Sequence, residues 1–174
     1  LAADKSVKIP YEEVLRIQQL PELQVTATSP PGPDRQKYSM YSFSVHFAKV
    51  HVDPATGVVR VKHVVSVADA GTVVNAKTSR SQMIGGMVYG IGMALFEHTA
   101  VDARSGRYLN SDLSEYLVPS HADVPDIDVV FIEEHDPYVN PIGVKGLGEI
   151  GMTGVAAAIA NAVYHATGVR VRDL

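Results

Sequence analysis

The chain has 174 residues, of which 46% are apolar and 20% charged, enough for one domain with a real core and too apolar for a disordered chain. Lys plus Arg number 15 against 19 Asp plus Glu, and a formal charge of -4 removes the electrostatic case for nucleic acid or an anionic membrane surface. Zero cysteines exclude disulfides, iron–sulfur ligation and thiolate zinc sites within the chain.

The 14 glycines are unremarkable in number and unusual in placement: four fall in 85–92 and five in 143–154. The weakly charged stretch Ser81 to Phe96, with Gln, Ser, Tyr and four glycines, is shorter than the about 20 apolar residues of a bilayer span. A start at Leu1 without methionine and an end directly after Val169-Arg170-Val171-Arg172 read as an excised piece of a longer polypeptide, and no signal sequence opens it.

In chain order, Pro10 opens a short predicted helix over residues 10–20, stopped by Pro21. Ser29-Pro30-Pro31-Gly32-Pro33-Asp34 reads as a linker, since three prolines remove backbone donors, and it divides an N-terminal helical piece (1–34) from the main body (35–174). Residues 39–67 predict a β-hairpin around the turn Asp53-Pro54-Ala55-Thr56-Gly57. Its second strand places Val59, Val61, Val65 and Val67 on one face, with Arg60 and Lys62 on the wet side. In the first strand the apolar phase passes from Val45 and Phe47 to Ala48, Val50 and Val52, which calls for a bulge near Phe47.

Residues 75–98 predict a long helix capped by Asn75. Each glycine inside it costs roughly 1 kcal/mol against alanine. The stripe Gly86, Gly90, Ala94 therefore marks a close approach, by another element or by a ligand. Strand-like segments at 98–102 and 127–132 follow, and an alanine-rich helix over 152–167 ends at Gly168. The class expected is α+β, an antiparallel sheet with packed helices.

No pair among the seven histidines has metal-ligand spacing, no Gly-x-Ser-x-Gly elbow occurs, and the acidic stretch from Asp123 to Asp136 does not follow an EF-hand pattern. The informative run is Gly143 to Gly154. Gly146, Gly148 and Gly151 satisfy G-x-G-x-x-G before a helix, with Asp173 further on where a ribose-binding acid would stand. The preceding Asp136-Pro137-Tyr138-Val139-Asn140-Pro141 argues against the strand that a dinucleotide fingerprint needs. What remains is a set of bared backbone N–H groups suited to an oxyanion, with Glu149 among Leu147, Ile150 and Met152 and only Lys145 as a local cation. That apolar setting predicts a desolvated carboxylate fit for a general base. A salt-bridged or helix-capping glutamate is the plainer alternative.

Several segments together resemble one family. Val144-Lys145-Gly146-Leu147-Gly148-Glu149-Ile150-Gly151, the Ala158-to-Val163 helix and Ala166 to Arg172 are similar to the C-terminal part of the large molybdenum-binding subunit of xanthine dehydrogenase and aldehyde oxidase type enzymes. Val50 to Gly57, Asp69-Ala70-Gly71 with Val74-Asn75, Gln82 to Gly86 and Gly90 to Leu95 match in order and spacing, while Asp112 to Asp128 is most similar to bacterial aldehyde oxidoreductases. Lys49 departs from the pattern, in which an acid is frequent.

The resemblance implies a molybdopterin cofactor, commonly the cytosine dinucleotide form, whose molybdenum carries oxo, sulfido and hydroxyl ligands. It implies that Glu149 is the catalytic base that deprotonates the hydroxyl group. Gln82 and Gly85 then contact the cofactor from the glycine-rich helix, and Lys145, Gly146 and Gly148 from the loop, with no direct metal ligand in this chain. Aldehydes or N-heteroaromatic rings are the implied substrates. The remainder of the subunit and partner subunits carrying 2Fe-2S clusters and FAD are the implied partners, and the fragment alone is expected to be inactive. The reading from the other class is a non-catalytic dinucleotide-binding or subunit-interaction module.

Overall fold

The computed structural model describes residues 8–28 and 32–174, and the chain divides into two compact units, Leu1–Pro31 and Gly32–Leu174. In the first, α1 (Tyr11–Ile17) starts on Pro10 and carries a Glu13–Arg16 ion pair one turn apart. Residues 29–31 of the proline-rich linker lie outside the described residues, and a short 3-10 helix follows at Pro33–Gln36.

The second unit is built on β1 (Phe43–Val52) and β2 (Val59–Asp69), an antiparallel hairpin. Its turn forms because Asp53 accepts the N–H groups of Ala55 and Thr56 on one carboxylate oxygen while Gly57 adopts positive φ. α2 (Ala76–Leu95) then leads to β3 (Asp126–Phe131), and α3 (Val155–Thr167) closes the chain. β3 pairs with β2 in parallel, so the sheet has the order β1-β2-β3 and is mixed where an antiparallel one was expected. A crossover containing α2 brings β3 back in the direction of β2, which a simple hairpin cannot do.

Two further expectations are corrected by the register. The irregularity lies between Lys49 and Val50, opposite an additional residue in β2, not near Phe47. β1 therefore alternates without a phase shift, turning Ser44, His46, Ala48, Val50 and Val52 inward. β2 changes phase instead: Val61 is buried before the bulge and Val64, Ser66 and Ala68 after it, while Val65 and Val67 move to the other face. The segment 98–102 is not a strand. Val101 makes an isolated bridge to Tyr108 across a turn in which Asp102 accepts from Arg104 N–H and Ser105.

Asn75 caps α2 by accepting the Thr78 N–H at 3.1 Å, and Gly168 at φ 74° ends α3. α2 turns two stripes inward. Met83, Met87 and Ile91, spaced by four, meet Val61, Val64 and Ala68 of the sheet and Val155 and Ile159 of α3 in one core. Gly86 and Gly90 let the chain ahead of α3 come against the α2 backbone: a Cβ on Gly86 would lie 2.9 Å from the Gly151 carbonyl carbon, and one on Gly90 2.5 Å from Val155 Cβ. The glycine stripe is thus explained by a neighbouring element at these two positions. No helix among the described residues is long and apolar enough to cross a membrane.

The loop before α3 is anchored to the end of β2. Val144 bridges Gly71, and the Lys145 N–H donates to the Ala70 carbonyl at 3.0 Å. The Lys145 side chain, only 7% exposed, places its ammonium 2.5 Å from Glu134, 3.1 Å from Asp69 and 3.5 Å from Asp136. Burial alone would push the Asp69 carboxyl up, but the Gly71 N–H and the Lys145 ammonium together hold it below its ordinary value. Asp136 is held low by the Tyr138 and Val139 N–H groups and by Lys145. Burial likewise opposes the charge on Lys145, and Glu134 and Asp69 outweigh it to raise the ammonium pKa.

Two consequences are measurable. Gly151→Ala would set a Cβ 2.9 Å from the Met83 carbonyl oxygen, and a backbone shift of that kind is expected to cost about 1–3 kcal/mol in urea unfolding. For the lysine cluster, depressed carboxyl pKa values add stability above the ordinary carboxylate range that is lost as pH falls through the lowered folded values. Lys145→Met should therefore lower the unfolding midpoint at neutral pH and make its decline below about pH 4 shallower than in the parent chain.

Candidate functional site

α2 presents Gln82, Gly85, Gly86 and Tyr89 at i, i+3, i+4 and i+7, one face of the helix. Opposite them, the turns ahead of α3 present Gly148, Glu149 and Met152, and these residues line one pocket of about 270 Å³. The two glycine windows of the sequence are its two walls. Gly86 belongs to the close contact with Gly151 that sets the spacing of the walls. Gly85 and Gly148 serve no comparable packing: a Cβ on Gly85 would meet nothing within 4 Å, and one on Gly148 only Gln82 Nε2 at 3.9 Å. Their missing side chains leave a cradle open to the pocket.

Four residues singled out from the sequence meet here, namely Gln82, Gly85, Gly148 and Glu149. Lys145 and Gly146 do not line the pocket. The Lys145 side chain turns away into its carboxylate cluster, and the Gly146 carbonyl accepts the Ser42 hydroxyl. Lys145 is thus a structural cation. The backbone N–H groups of Gly146, Leu147, Gly148 and Glu149 find no backbone acceptor among the described residues, so the loop does bare donors. It does so six residues before α3, which starts at Val155 and not at Met152, so Glu149 lies outside the first helical turn.

The expected burial of Glu149 is not met within this chain. Leu147 and Ile150 pack against the core, and the two residues between them, Gly148 and Glu149, are left exposed. The turn at 148–150 carries Gly148 and Glu149 to the surface while Leu147 and Ile150 pack inward, so an apolar sequence neighbourhood need not be an apolar spatial one. Glu149 takes no part in the ion pairs among the described residues. G-x-G-x-x-G at 146–151 follows turns over 137–142 in place of a strand, which removes the dinucleotide-fold geometry.

The loop is also held by groups that sequence reasoning overlooked. Ser44 donates its hydroxyl to the Ile150 carbonyl at 2.6 Å, and His46 Nε2 lies 3.0 Å from the same oxygen. A carbonyl only accepts, so His46 carries its proton on Nε2. Burial lowers the His46 pKa, the Ile150 contact opposing it, and Nδ1 is buried without a partner. Tyr89 was missed too, although its i+7 spacing from Gln82 is readable. Asn140 fixes the entry to the loop, donating from Nδ2 to the Val144 carbonyl at 2.7 Å and accepting the Val144 N–H at 3.1 Å. Among the described residues no three His, Asp or Glu are grouped to hold a metal ion.

Comparison with known proteins identifies the family. A family model described as a molybdopterin cofactor-binding domain matches residues 2–125. The chain is 51% identical over 142 residues to the aldehyde oxidoreductase molybdenum-binding subunit PaoC of Escherichia coli, covering 82% of this chain and 19% of that protein. It is 38% identical over 149 residues to a putative xanthine dehydrogenase molybdenum-binding subunit, XdhA, of the same organism, covering 86% and 18%. The crystal structure of the aldehyde oxidoreductase from Desulfovibrio desulfuricans superposes with a TM-score of 0.69 at 34% identity, over 76% of this chain and 14% of that one. The chain spans about a fifth of the length of the curated relatives it matches. It belongs to the molybdopterin cofactor-binding domain family of the aldehyde oxidoreductase and xanthine dehydrogenase type.

Proposed function

We propose that this chain forms one wall of the active site of a molybdenum hydroxylase that oxidises aldehydes, with Glu149 as the general base. The observation that carries the reading is the pocket that Glu149, free of ion-pair partners among the described residues, lines together with Gln82, Gly85 and Gly148. The cofactor fits these residues: the glycine cradle admits a planar group close to the backbone, and the bared amides of Gly146 to Glu149 with the Gln82 carboxamide suit its oxygen-rich periphery. When bound, a molybdenum centre with oxo, sulfido and hydroxyl ligands would supply the redox chemistry, and the cytosine dinucleotide form of the pterin is the one proposed. The contribution of this chain is acid–base: a Glu149 carboxylate oxygen takes the proton released as the substrate carbon gains oxygen. An aldehyde fits the open, uncharged side of Met152 and Tyr89 better than a charged substrate does.

The exposed position of Glu149 and the bare outer face of the sheet both favour a larger assembly. Phe43, Val45, Phe47 and Val130 are 64%, 55%, 59% and 49% exposed on that face, an apolar strip of the kind that isolated soluble domains rarely leave uncovered. The remainder of the molybdenum subunit is proposed to cover it and to desolvate Glu149, with iron–sulfur and FAD subunits accepting the electrons.

Glu149→Gln in the complete enzyme is expected to abolish turnover while molybdenum and pterin contents stay near wild type, and undiminished turnover would refute the base. Gly85→Ala separates fold from cofactor. With nothing near the new methyl, it should stabilise the protein by up to about 1 kcal/mol through helix propensity, yet reduce molybdopterin content measured after denaturation.

A further inference from the structure

We propose that Ser44 and His46 are positioning residues that set the Glu149 turn from outside the pocket, an inference that rests on the reading of Glu149 as base. β1 turns every second residue inward, and where Ala48, Val50 and Val52 supply apolar contacts, Ser44 and His46 supply donors. Both donors converge on one acceptor, the Ile150 carbonyl, at 2.6 and 3.0 Å, and Ser44 Oγ lies 3.0 Å from His46 Nε2. Just before the strand, Ser42 binds the Gly146 carbonyl. The arc Gly146 to Ile150 is therefore tied to β1 at both ends, and Glu149 is the residue immediately before the doubly held peptide.

The imidazole also acts as a spacer. A Cβ on Gly154 would lie 2.6 Å from His46 Cδ2, so the ring bears directly on the chain between the turn and α3. Fold stability alone does not call for this arrangement. Polar side chains on the core face of a strand are costly unless bonded, and a serine and a histidine with one nitrogen left unpartnered are poorer fillers there than alanine and leucine. What they provide is direction. Two donors of different length fix the plane of the Ile150 carbonyl, and with it the course of the chain that brings Glu149 to the pocket it lines with Gln82. Neither side chain lines the pocket, so both act through the backbone they hold and not on substrate or cofactor.

The test uses the complete molybdenum-loaded enzyme with Ser44→Ala and His46→Leu, singly and together, and His46→Gln as the variant that keeps an N–H donor. The double variant is expected to lose at least tenfold in kcat, with KM within twofold and molybdenum content unchanged, and His46→Gln to retain most of the activity that His46→Leu loses. Amide hydrogen exchange should accelerate at Met152 and Val155, whose N–H groups donate to the Glu149 and Met152 carbonyls, while the β2 and α2 cores keep their protection. A double variant with kcat within twofold of wild type and unchanged exchange at Met152 and Val155, in a background where Glu149→Gln is inactive, would overturn the proposal. Were Glu149→Gln itself active, the base reading would fall, and the exchange measurement would still decide whether the tether exists. If the double variant does not accumulate, Ser44→Ala alone carries the same two readouts: a lower kcat with faster exchange at Met152 and Val155 supports the tether, and no change in either overturns it.

Discussion

The site depends on two backbones that touch. Gly86 on α2 and Gly151 ahead of α3 face each other so closely that a methyl on either would collide with main-chain atoms, at 2.9 Å in both directions. This contact brings the two walls of the pocket to the distance at which Gln82 and Glu149 share a space. A glycine within α2 lowers helix propensity by roughly 1 kcal/mol, and the same stripe reads equally well as packing or as ligand approach. The structure divides the roles by position. Gly86 and Gly90 meet protein, whereas Gly85 meets nothing and opens onto the pocket, so adjacent glycines serve contact and vacancy respectively.

A second constraint lies in the pleat. One additional residue in β2 opposite Lys49 and Val50 changes which valines are buried, and because side chains alternate strictly, everything beyond the bulge exchanges faces. Val45, Phe47, Val65 and Val67, which composition alone assigns to the core, stand on the outer face, and Ser44, His46, Ser66 and Ala68 stand on the inner one. The inner face of β1 is thus partly polar because part of it faces a loop of carbonyls, not a helix of side chains. The outer face is apolar in a chain that spans about a fifth of its relatives, consistent with a sheet having a further layer on that side.

These particulars show what was legible in the sequence. Features governed by a few consecutive residues could be read: the Asp53-to-Gly57 turn, the Asn75 cap, the Gly168 stop, and the pairing of glycine windows with Gln82 and Glu149. Features governed by residues distant in sequence could not. The bulge depends on registry between strands, and the parallel placement of β3 on the path of a long crossover. The donors at 42, 44 and 46 become meaningful only once residues 146–150 are laid against them, a separation of more than 100 residues. The burial of Glu149 was misjudged for a related reason, since Leu147 and Ile150 are neighbours in sequence that leave it for the core.

The fate of Lys145 bears directly on whether Glu149 suits the role of base. A lysine four residues before a carboxylate in a tight loop is positioned by sequence to pair with it, and such a pair stabilises the ionised carboxylate and weakens it as a proton acceptor. Here Asp69 from the end of β2, together with Glu134 and Asp136 from the segment after β3, surrounds the ammonium at 2.5–3.5 Å and leaves it 7% exposed. Three anions for one cation exceed what neutralisation of a buried lysine requires, and they hold Lys145 on the far side of the bridge between Gly71 and Val144. The excess of negative charge secures the loop to the end of β2, and the Glu149 carboxylate is left without a counter-ion among the described residues. Removing the cluster would therefore do more than loosen the fold: it would free a cation four residues from the carboxylate proposed as the base.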